Sequence, residues 1–459
     1  MQETTGQPLA GKTAAFLSLG CKVNSYETEA MRRLFEEAGA RTVDFDDAAD
    51  FYVVNTCTVT NIADRKSRQM LHRAKKRNPD GVVVAAGCYV QAAEQQVRED
   101  CAVDVLVGNQ QKREIVALVL EYLEGRRARQ LADVSREREY EELGFSAAQE
   151  KTRAFIKIQD GCNQFCTYCI IPFARGRIRS RREEEILAEA ERLTAQGYRE
   201  IVLTGIHLSS YGFEAYPEKQ RFELRIPGEQ APLLALIRKL DRVPGLERIR
   251  LGSLEPRIIT EELAAELAGT KVCPHFHLSL QSGCDATLAR MNRRYNTQDY
   301  RESCGILRRH FENPAITTDV IVGFPGETEE EFAVTRRFLE EIGFAQMHIF
   351  KYSRRKGTKA ADMPGQIPEP EKTRRSEELL ALEQRLRRAY EDSFAGRTTK
   401  ILFEEAAAFS GQTYMTGHNE RYVRFAVRTG EDWSNRILAC RVSEHTVGGQ
   451  LREAFLCGE

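Results

Sequence analysis

The stretch "AFIKIQDGCNQFCTYC", residues 154–169, joins an apolar run to three cysteines and decides how the centre of this chain folds. Its first part predicts a strand, and Cys162, Cys166 and Cys169 follow at C-x3-C-x2-C spacing. Three thiolates from one loop suit a [4Fe–4S] cluster that keeps one iron without a protein ligand. A structural zinc site needs four ligands, and no fourth cysteine or histidine lies nearby in the sequence. The spacing therefore favours a cluster whose open iron can bind a cofactor or substrate.

The same strand is the first of six similar units. The strand candidates are "AFIKIQDGC", "EIVLTGIHL", "RIRLGSLEP", "HFHLSLQSG", "TTDVIVGFPG" and "AQMHIFKYS". Helical stretches such as "REEEILAEAERLTAQG" separate them. This pattern predicts a partial (β/α)6 barrel over residues 151–368, in which sites form at the C-terminal ends of the strands. The charged, proline-containing stretch 213–232 interrupts the repeat and is typical of a surface insertion.

The part of the chain before this repeat also alternates strands and helices. The apolar runs "KTAAFLSLG", "DFYVVNTC", "GVVVAAGC" and "VDVLVGN" alternate with amphipathic stretches such as "SYETEAMRRLFEEAG" and "YVQAAEQQVRED". We predict a parallel-sheet, flavodoxin- or Rossmann-like α/β domain over residues 10–125. The polar, charge-dense segment 126–150 predicts a linker with room for a short helix.

The last part of the chain changes character. A connecting segment over residues 369–395 contains a long charged helix, predicted over residues 373–392. Residues 396–459 then show short strand runs, "KILFEEA", "RYVRFAVRT" and "ILACRVSEHT", with glycines between them. This pattern predicts a small all-β barrel. The chain is therefore expected to contain three folded units, as its 459 residues allow.

Composition restricts the class of protein. With 42% hydrophobic and 29% charged residues, the chain has the composition of a soluble globular protein. We expect no membrane span and no signal peptide, and hence a cytoplasmic protein. In that compartment its twelve cysteines are better suited to metal ligation than to disulfides. The net charge of −1 means that any nucleic-acid binding depends on local basic patches.

A second set of three cysteines lies in the N-terminal α/β unit. Cys21, Cys57 and Cys88 each come directly after a predicted strand. Because the carboxyl ends of parallel strands share one edge of a sheet, the three thiols are expected to converge. The alternative is three separate buried cysteines. The remaining six show no shared placement and are interpreted as packing or surface thiols: Cys101, Cys273, Cys284, Cys304, Cys440 and Cys457.

These two cysteine sets, in this order and followed by a small β-barrel, resemble the radical S-adenosylmethionine (SAM) methylthiotransferase family. The resemblance covers almost the whole chain, through "LGCKVNSYETE", "NTCTVT", "AAGCYVQ", "DGCNQFCTYCIIPFARGRIRSR", "HLSLQSG" and "DVIVGFPGET". The final region, with "GHNERYVRF", resembles the family's RNA-binding TRAM domain. Such enzymes insert sulfur at an unactivated C–H bond and methylate it. "GCKVNSYETE" with "NTCTVT" looks most like the branch that modifies N6-threonylcarbamoyladenosine in tRNA (MtaB-type).

The resemblance implies two [4Fe–4S] clusters and SAM as cofactors. Cys162, Cys166 and Cys169 would hold the SAM-cleaving cluster, and Cys21, Cys57 and Cys88 an auxiliary cluster that carries the sulfur. The resemblance also implies a set of SAM-binding residues near the strand ends: Tyr168, Thr204, Gly205, Ser253, Glu255, Ser279, Gln281, Arg293, Val320 and Ile321. Whether Lys22, Val23 and Asn24, which follow the first cysteine, select the nucleoside or only shape the turn is left open by the sequence.

RNA binding is expected at two basic runs. The first, "ARGRIRSRR", holds five arginines: Arg175, Arg177, Arg179, Arg181 and Arg182. The second, "RKSRQMLHRAKKR", holds seven Lys/Arg over residues 65–77, although a solvated helix face is the competing interpretation. Arginine suits phosphate recognition through its planar fork. In the C-terminal barrel, Tyr422 and Phe425 are candidate base-stacking residues.

The expected partners are the tRNA anticodon stem-loop and an electron donor such as flavodoxin or ferredoxin, with the protein itself a monomer. Four alternatives are weighed on the sequence: an isopentenyladenosine tRNA methylthiotransferase, a methylthiotransferase for an aspartate of a ribosomal protein, a cluster protein without catalysis, and a radical SAM methylase without sulfur transfer. The N-terminal cysteine set argues against the last of these. The ribosomal-protein branch tends to have proline after the first cysteine, where this chain has Lys22. A non-catalytic electron carrier would hold its clusters with four ligands.

Overall fold

The computed structural model describes residues 6–126, 130–144, 152–216, 231–449 and 451–457. It begins with a five-stranded parallel sheet in the order β2-β1-β3-β4-β5. The strands are β1 Thr13–Ser18, β2 Arg41–Val43, β3 Phe51–Thr56, β4 Val82–Gly87 and β5 Val105–Val107. The helices are α1 Lys22–Glu37, α2 Asn61–Arg77, α3 Cys88–Ala92, α4 Glu94–Arg98 and α5 Ile115–Leu123. Every residue of β3 and β4 is buried, as expected for a parallel sheet covered on both faces.

The central unit is the expected partial barrel. Its strands are β6 Arg153–Asp160, β7 Arg179–Ser180, β8 Glu200–Gly205, β9 Arg248–Leu251, β10 His275–His277, β11 Ala315–Val322 and β12 Gln346–Lys351. Its helices are α6 Ile171–Arg175, α7 Glu183–Ala195, α8 Pro232–Leu240, α9 Glu261–Ala268, α10 Asp285–Arg290, α11 Thr297–His310 and α12 Glu329–Ile342. The sheets β7-β6-β8-β9 and β10-β11-β12 are joined by two isolated bridges, Ile249↔Val272 and Leu254↔Leu278.

Alternation along these strands separates a core from a lumen. Ile156, Leu203 and Ile249 belong to the core under the helices and are fully buried. Their neighbours on the opposite face are polar, for example Lys157 and Arg250. The barrel therefore encloses a charged lumen rather than a packed apolar interior.

The N-terminal unit covers the open side of the barrel between β6 and β12. On the β6 side, Glu27 of α1 pairs with Lys157, with an Nζ–Oε1 distance of 2.7 Å. On the β12 side, Arg355 pairs with Asp64 of α2, with an Nη1–Oδ2 distance of 2.6 Å. Because the two contacts lie at opposite edges of the partial barrel, the N-terminal unit bridges its gap.

Helix α13, Glu369–Asp392, leads into a closed barrel in the order β13-β14-β15-β17-β16. The strands are β13 Thr398–Phe409, β14 Gln412–Asn419, β15 Arg424–Arg428, β16 Ile437–Val447 and β17 Leu451–Leu456. A Cβ atom on Gly417 would lie 2.1 Å from the Leu402 carbonyl oxygen, so only glycine permits this approach of β14 to β13. None of the helices among the described residues is long and apolar enough to cross a membrane.

The fold class is as predicted, and several local predictions differ. Helix α13 begins at Glu369, directly after Pro368, four residues before the predicted start. The helix predicted over 89–100 breaks at Ala93 into α3 and α4. Strands β14 and β17 were not predicted from the sequence. The proposed insertion lies mostly outside the described residues.

The predicted linker is packed rather than free where the structure describes it. Val134 and Leu143 are buried, and the Leu143 carbonyl accepts a hydrogen bond from Arg33 of α1. The Tyr140 hydroxyl donates to the carbonyl of Lys157 on β6. Within residues 130–144 the chain contains no helix. The segment therefore ties the N-terminal unit to the barrel.

Candidate functional site

The three cysteines of the N-terminal unit lie at the C-terminal ends of neighbouring strands. Cys21 directly precedes α1, Cys57 follows β3, and Cys88 is the first residue of α3 after β4. The first two turns touch, since a Cβ atom on Gly20 would lie 2.6 Å from the Cys57 Sγ. Burial raises the pKa of the Cys57 thiol to about 11, with a further contribution from the nearby thiolates of Cys88 and Cys21. The structure thus brings the three predicted thiols together.

The turn that presents Cys21 is held by Asn24. The Asn24 side-chain amide donates to the carbonyl oxygens of Leu19 and Thr56, at 2.7 and 2.9 Å. Asn24 is buried, and so is Val23 beside it. Lys22, in contrast, is exposed. Of the three residues that follow the first cysteine, two therefore shape the turn and one remains available.

The second cysteine set lies on the loop after β6. The backbone N–H of Gln164 points at the Cys162 Sγ at 3.5 Å, and Arg293 Nη1 donates to the Cys166 Sγ at 3.2 Å. Burial raises the pKa of the Cys169 thiol to about 12, reinforced by the charge of Cys166. These donors suit sulfur atoms that carry negative charge.

The spacing of the sulfur atoms separates the two metal hypotheses. A single tetrahedral zinc ion holds its thiolates about 4 Å apart. In neither set do the three sulfur atoms all lie within 4.8 Å of one another. Among the described residues, the group that meets this limit is His277, Asp319 and His348 on the lumen wall. Both cysteine sets therefore fit a [4Fe–4S] cluster, which spreads its ligands over a larger body, better than one metal ion.

Arg175 connects the two cysteine sets. Its Nε donates to the Cys88 Sγ at 3.2 Å, and its Nη1 lies 2.8 Å from Glu27 Oε1 of α1 and 3.1 Å from Asp160 Oδ2. Asp160 ends β6, two residues before Cys162. The guanidinium is completely buried. One side chain thus contacts the first set and an acid beside the second.

The two carboxylates that pair with Arg175 are ionised, and buried lysines also pair with them. Lys157 Nζ lies 2.7 Å from Glu27 Oε1 and 2.6 Å from Asp160 Oδ2, and Lys112 Nζ lies 3.0 Å from Glu27 Oε2. Burial alone would raise the pKa of Glu27, but Arg175 and the two lysines hold it well below its ordinary value. Buried charges of this kind persist only with such partners.

Several predicted SAM-binding residues surround the second cysteine set. Glu255 is buried and faces His207, with an Oε2–Nε2 distance of 3.0 Å. Burial would raise its pKa, but His207, Arg257 and Arg293 lower it to about 2. Arg293 also donates to the carbonyl oxygen of Ser279 at 3.3 Å. The arrangement is a charged cradle beside Cys166.

The other predicted SAM-binding residues are divided between the lumen and the core. Thr204 and Gly205 end β8, Ser253 is exposed, and Gln281 bridges to the backbone of Val320. Ile321 lies partly buried in one cluster with Tyr168. The Val320 side chain, however, packs in the helix-facing core. The predicted contact of Val320 with SAM therefore does not involve this side chain, because alternation along β11 turns it away from the lumen.

The predicted RNA-binding residues are also divided. Arg175, Arg179 and Arg181 are at most 2% exposed, and their partners are internal, such as Glu189 for Arg181. Because these three side chains are buried, the prediction that they contact RNA is wrong. Arg177 and Arg182, in contrast, are exposed.

The aromatic prediction in the C-terminal barrel needs the same correction. Phe425 is fully buried in the barrel core, because it points inward from β15. Tyr422 stacks on His418 with ring centroids 4.5 Å apart. The guanidinium groups of Arg153 and Arg250 lie 5.0 and 4.8 Å from its ring centre. Tyr422 therefore faces the N-terminal end of the barrel strands.

Sequence reasoning missed the residues that join the units. Glu27 and Lys112 look like surface charges in amphipathic stretches, and only the third dimension shows their burial. It also missed exposed apolar side chains next to the cysteines: Val59, Ile62 and Phe173 are 53–67% exposed. Their position directly after Cys57 and Cys169 was the available signal, since large exposed apolar side chains mark binding surfaces.

Two family models match the chain. The model described as "Radical SAM superfamily" matches residues 156–339, and the model described as "Uncharacterized protein family UPF0004" matches residues 13–108. These ranges contain the second and the first cysteine set, respectively.

Curated relatives match most of the chain. The "Threonylcarbamoyladenosine tRNA methylthiotransferase MtaB" of Bacillus subtilis is 41% identical over 94% of this chain and 93% of its own length. The protein of the same name from Aquifex aeolicus is 38% identical over 89% of this chain and 97% of its own. The "tRNA-2-methylthio-N(6)-dimethylallyladenosine synthase" of Moorella thermoacetica is 35% identical, over 86% of this chain and 88% of its own.

A solved structure shares the fold. The radical S-adenosylmethionine methyltransferase TsrM from Kitasatospora setae, with cobalamin and a [4Fe–4S] cluster bound, superposes with a TM-score of 0.57. It is 15% identical, and the match covers 76% of this chain and 77% of that protein. At this identity the likeness concerns the fold alone.

Proposed function

This chain belongs to the radical SAM methylthiotransferase family, and on that premise we propose that it adds a methylthio group at C2 of N6-threonylcarbamoyladenosine in tRNA, next to the anticodon. The observation that carries the proposal is the pair of cysteine sets joined through Arg175. A protein that only cleaves SAM needs one such set, whereas sulfur transfer needs a second place from which sulfur is delivered. The four relatives named MtaB, 33–41% identical, support the nucleoside.

We assign a role to each cysteine set. Cys162, Cys166 and Cys169 hold the [4Fe–4S] cluster that binds SAM, and Cys21, Cys57 and Cys88 hold a second [4Fe–4S] cluster. When bound, these groups would supply the one-electron chemistry that breaks the C2–H bond and the sulfur that replaces the hydrogen. One SAM would provide the methyl group on that sulfur, and a second would yield the radical that takes up the hydrogen. The chain itself brings the two sets to one lumen and excludes bulk water by closing the barrel.

The residues around Cys166 are assigned to SAM. Arg293 offers guanidinium donors to the carboxylate of SAM while it contacts the Cys166 sulfur. The ionised Glu255 is suited to a ribose hydroxyl or the SAM amine. Thr204 and Gly205 contribute polar groups at the end of β8, and Ile321 an apolar surface. Tyr168, Ser253, Ser279 and Gln281 line the same region in the proposal.

The surface around the lumen is assigned to RNA. Helix α2 carries exposed basic side chains directly after Cys57, among them Arg65, Lys66 and Lys76. Arg177 and Arg182 add charge beside the second set. In the proposal the TRAM-like barrel of residues 396–459 contacts the tRNA stem, residues 10–125 form the sulfur-delivering domain and residues 151–368 the SAM domain. The enzyme works as a cytoplasmic monomer with a flavodoxin or ferredoxin as electron donor.

The test is the nucleoside content of tRNA in a strain that lacks the gene. Mass spectrometry of digested tRNA should show loss of methylthio-threonylcarbamoyladenosine, restored by the wild-type gene. The variants Cys21→Ala and Cys162→Ala should restore none, whereas Cys101→Ala, a change at an exposed cysteine outside both sets, should restore it fully. Loss of only the methylthio-isopentenyl nucleoside would refute the proposed substrate, and unchanged tRNA would refute tRNA modification. Full restoration by Cys21→Ala would refute the second cluster.

A further inference from the structure

Lys22 carries a positive charge that forms no ion pair with the described residues. It is the first residue of α1, directly after Cys21. The next two residues, Val23 and Asn24, are buried and shape the turn. No carboxylate of the described residues lies within ion-pair distance of the Lys22 Nζ, although most lysines and arginines near the lumen have such a partner, as Lys157 does. The Lys22 ammonium is therefore free to pair with an anionic group of a bound ligand.

The charged groups that act on Lys22 belong to the lumen wall, against which α1 packs through the pair of Glu27 and Lys157. Arg250, Arg153 and Glu200 act on it electrostatically from β9, β6 and β8. Glu200 is already shared, because the Nε atoms of Arg153 and Arg250 both lie 2.8 Å from its Oε1. Arg248 Nη1 lies 3.5 Å from its Oε2. Arg153 and Arg248 also lie within ion-pair distance of Glu404 and Glu420, respectively. Three carboxylates therefore match the three guanidinium groups, and the unmatched positive charge of this wall is that of Lys22.

An unmatched positive charge beside a cavity attracts an anion. The two arginines that act on Lys22 are already paired within the protein: Arg250 Nη1 also donates to the Glu420 carbonyl at 2.9 Å, and Arg153 also pairs with Glu404. Lys22 has its three ammonium donors available. The group that it binds must therefore be anionic and must enter the lumen beside Cys21.

We propose that Lys22 binds the carboxylate on the N6 substituent of the substrate adenosine and thereby selects the threonylcarbamoyl nucleoside. The inference rests on the proposed function and deepens it. C2 and N6 lie on the same edge of the adenine ring, so an adenine whose C2 approaches the sulfur held near Cys21 brings its N6 substituent to the neighbouring residue. An isopentenyl group would instead place an apolar chain against a lysine, which leaves the ammonium without a partner.

The test measures binding of three anticodon hairpins to the full-length protein with its clusters. One hairpin carries threonylcarbamoyladenosine, the second its carboxylate methyl ester, and the third unmodified adenosine. The wild type should bind the free acid about tenfold more tightly than the ester, the value of one charge-assisted hydrogen bond. Lys22→Gln should abolish this difference, Lys22→Arg should retain most of it, and Lys12→Gln, a change at an exposed lysine of the same unit, should leave it unchanged.

Other sources of the anion give different results. If Lys22 binds a backbone phosphate, Lys22→Gln weakens the binding of all three hairpins equally. If it binds the SAM carboxylate, Lys22→Gln raises the Kd of SAM in the absence of RNA. Either result overturns the inference. So does a wild type that binds acid and ester equally. Failure of the proposed function is seen separately, in the wild type alone, as a lack of methylthiolated product from the free-acid hairpin.

Discussion

The Nε of Arg175 lies 3.2 Å from the Sγ of Cys88, although the two residues belong to different folded units. The remaining guanidinium nitrogens reach Glu27, Asp160 and Asn24. The arginine therefore fixes the distance between a sulfur of the first cysteine set and the loop that carries the second. Hydrogen bonds to cluster sulfur also adjust a reduction potential, so in the proposed enzyme this contact would serve both the position and the reduction potential of the second cluster.

Replacement of Arg175 should destabilise the protein strongly. Arg175→Gln leaves Glu27 and Asp160 buried with less neutralisation, and breaking a buried ion pair from one side costs about 3–5 kcal/mol. Arg175→Lys keeps the positive charge but not the planar set of guanidinium donors, so it should lower the free energy of unfolding by less. Urea unfolding of the cluster-free protein measures both.

Arg177 provides the matched control for this change. It lies two residues away in the same arginine run, but it is exposed. Arg177→Gln should change the free energy of unfolding by less than about 0.5 kcal/mol. Equal losses for the two glutamine variants would contradict the burial that separates them, and no loss for Arg175→Gln would contradict the network.

The contact between Arg355 and Asp64 should hold the N-terminal unit to the end of β12. Arg355 Nη1 lies 2.6 Å from Asp64 Oδ2, and its Nη2 donates to Thr58 Oγ1 at 2.6 Å. A double-mutant cycle with Asp64→Asn and Arg355→Gln should give a coupling energy of about 0.5–3 kcal/mol in urea unfolding.

An exposed pair serves as the reference for this cycle. Arg385 and Glu340 lie 2.5 Å apart, but both are about half exposed. Their coupling should stay below about 1 kcal/mol. A coupling for Arg355 and Asp64 no larger than this reference would show that the two units are held together elsewhere.

The sequence was sufficient for the fold class and for the placement of the six cysteines after strands. Both follow from local patterns: thiols after strands, and apolar runs at strand or helix spacing. Burial of individual charges was not predictable. In "ARGRIRSRR" the side chains of Arg175, Arg179 and Arg181 are inside and that of Arg177 is outside, and no feature of a single run tells which arginines meet buried acids from α1 and α7. The prediction for Phe425 was wrong for a related reason, because its position on β15 directs the side chain into the closed interior of the barrel.

Stability should depend on pH through Glu141. Burial raises the pKa of its carboxyl to about 7, against the opposing charge of Lys112 and the N–H of Arg113. The folded state then holds a proton that the unfolded state has released, so stability falls as pH rises from about 4.5 toward 7. Glu141→Gln removes this dependence. Thermal midpoints at pH 5, 6, 7 and 8 should show the variant gaining on the wild type as pH rises.

The control for Glu141 comes from the same segment. Glu139 is exposed, and Glu139→Gln should follow the wild type at every pH. A constant difference between Glu141→Gln and the wild type across this range would show that the Glu141 carboxyl ionises normally and that its burial has no energetic effect.

The exposed basic side of α2 should bind RNA phosphates. Arg65, Lys66 and Lys76 are exposed and have no carboxylate within ion-pair distance among the described residues, unlike Arg73 and Arg77, which pair with Asp46. Cations that bind RNA phosphates release counterions, so removing one such cation lowers the slope of log Kobs against log salt by about 1. Replacing all three with glutamine should therefore lower this slope by about 2–3 and weaken tRNA binding most at low salt.

Helix α13 supplies the charge-matched control for these α2 variants. Changing Arg385, Arg387 and Arg388 to glutamine removes the same net charge, and all three side chains are exposed. The slope should stay unchanged, because this part of α13 lies beside α12 in the helical layer outside the barrel, where Arg385 pairs with Glu340. Identical slopes for the two triple variants would show that α2 is only a solvated helix face and that net charge alone governs binding.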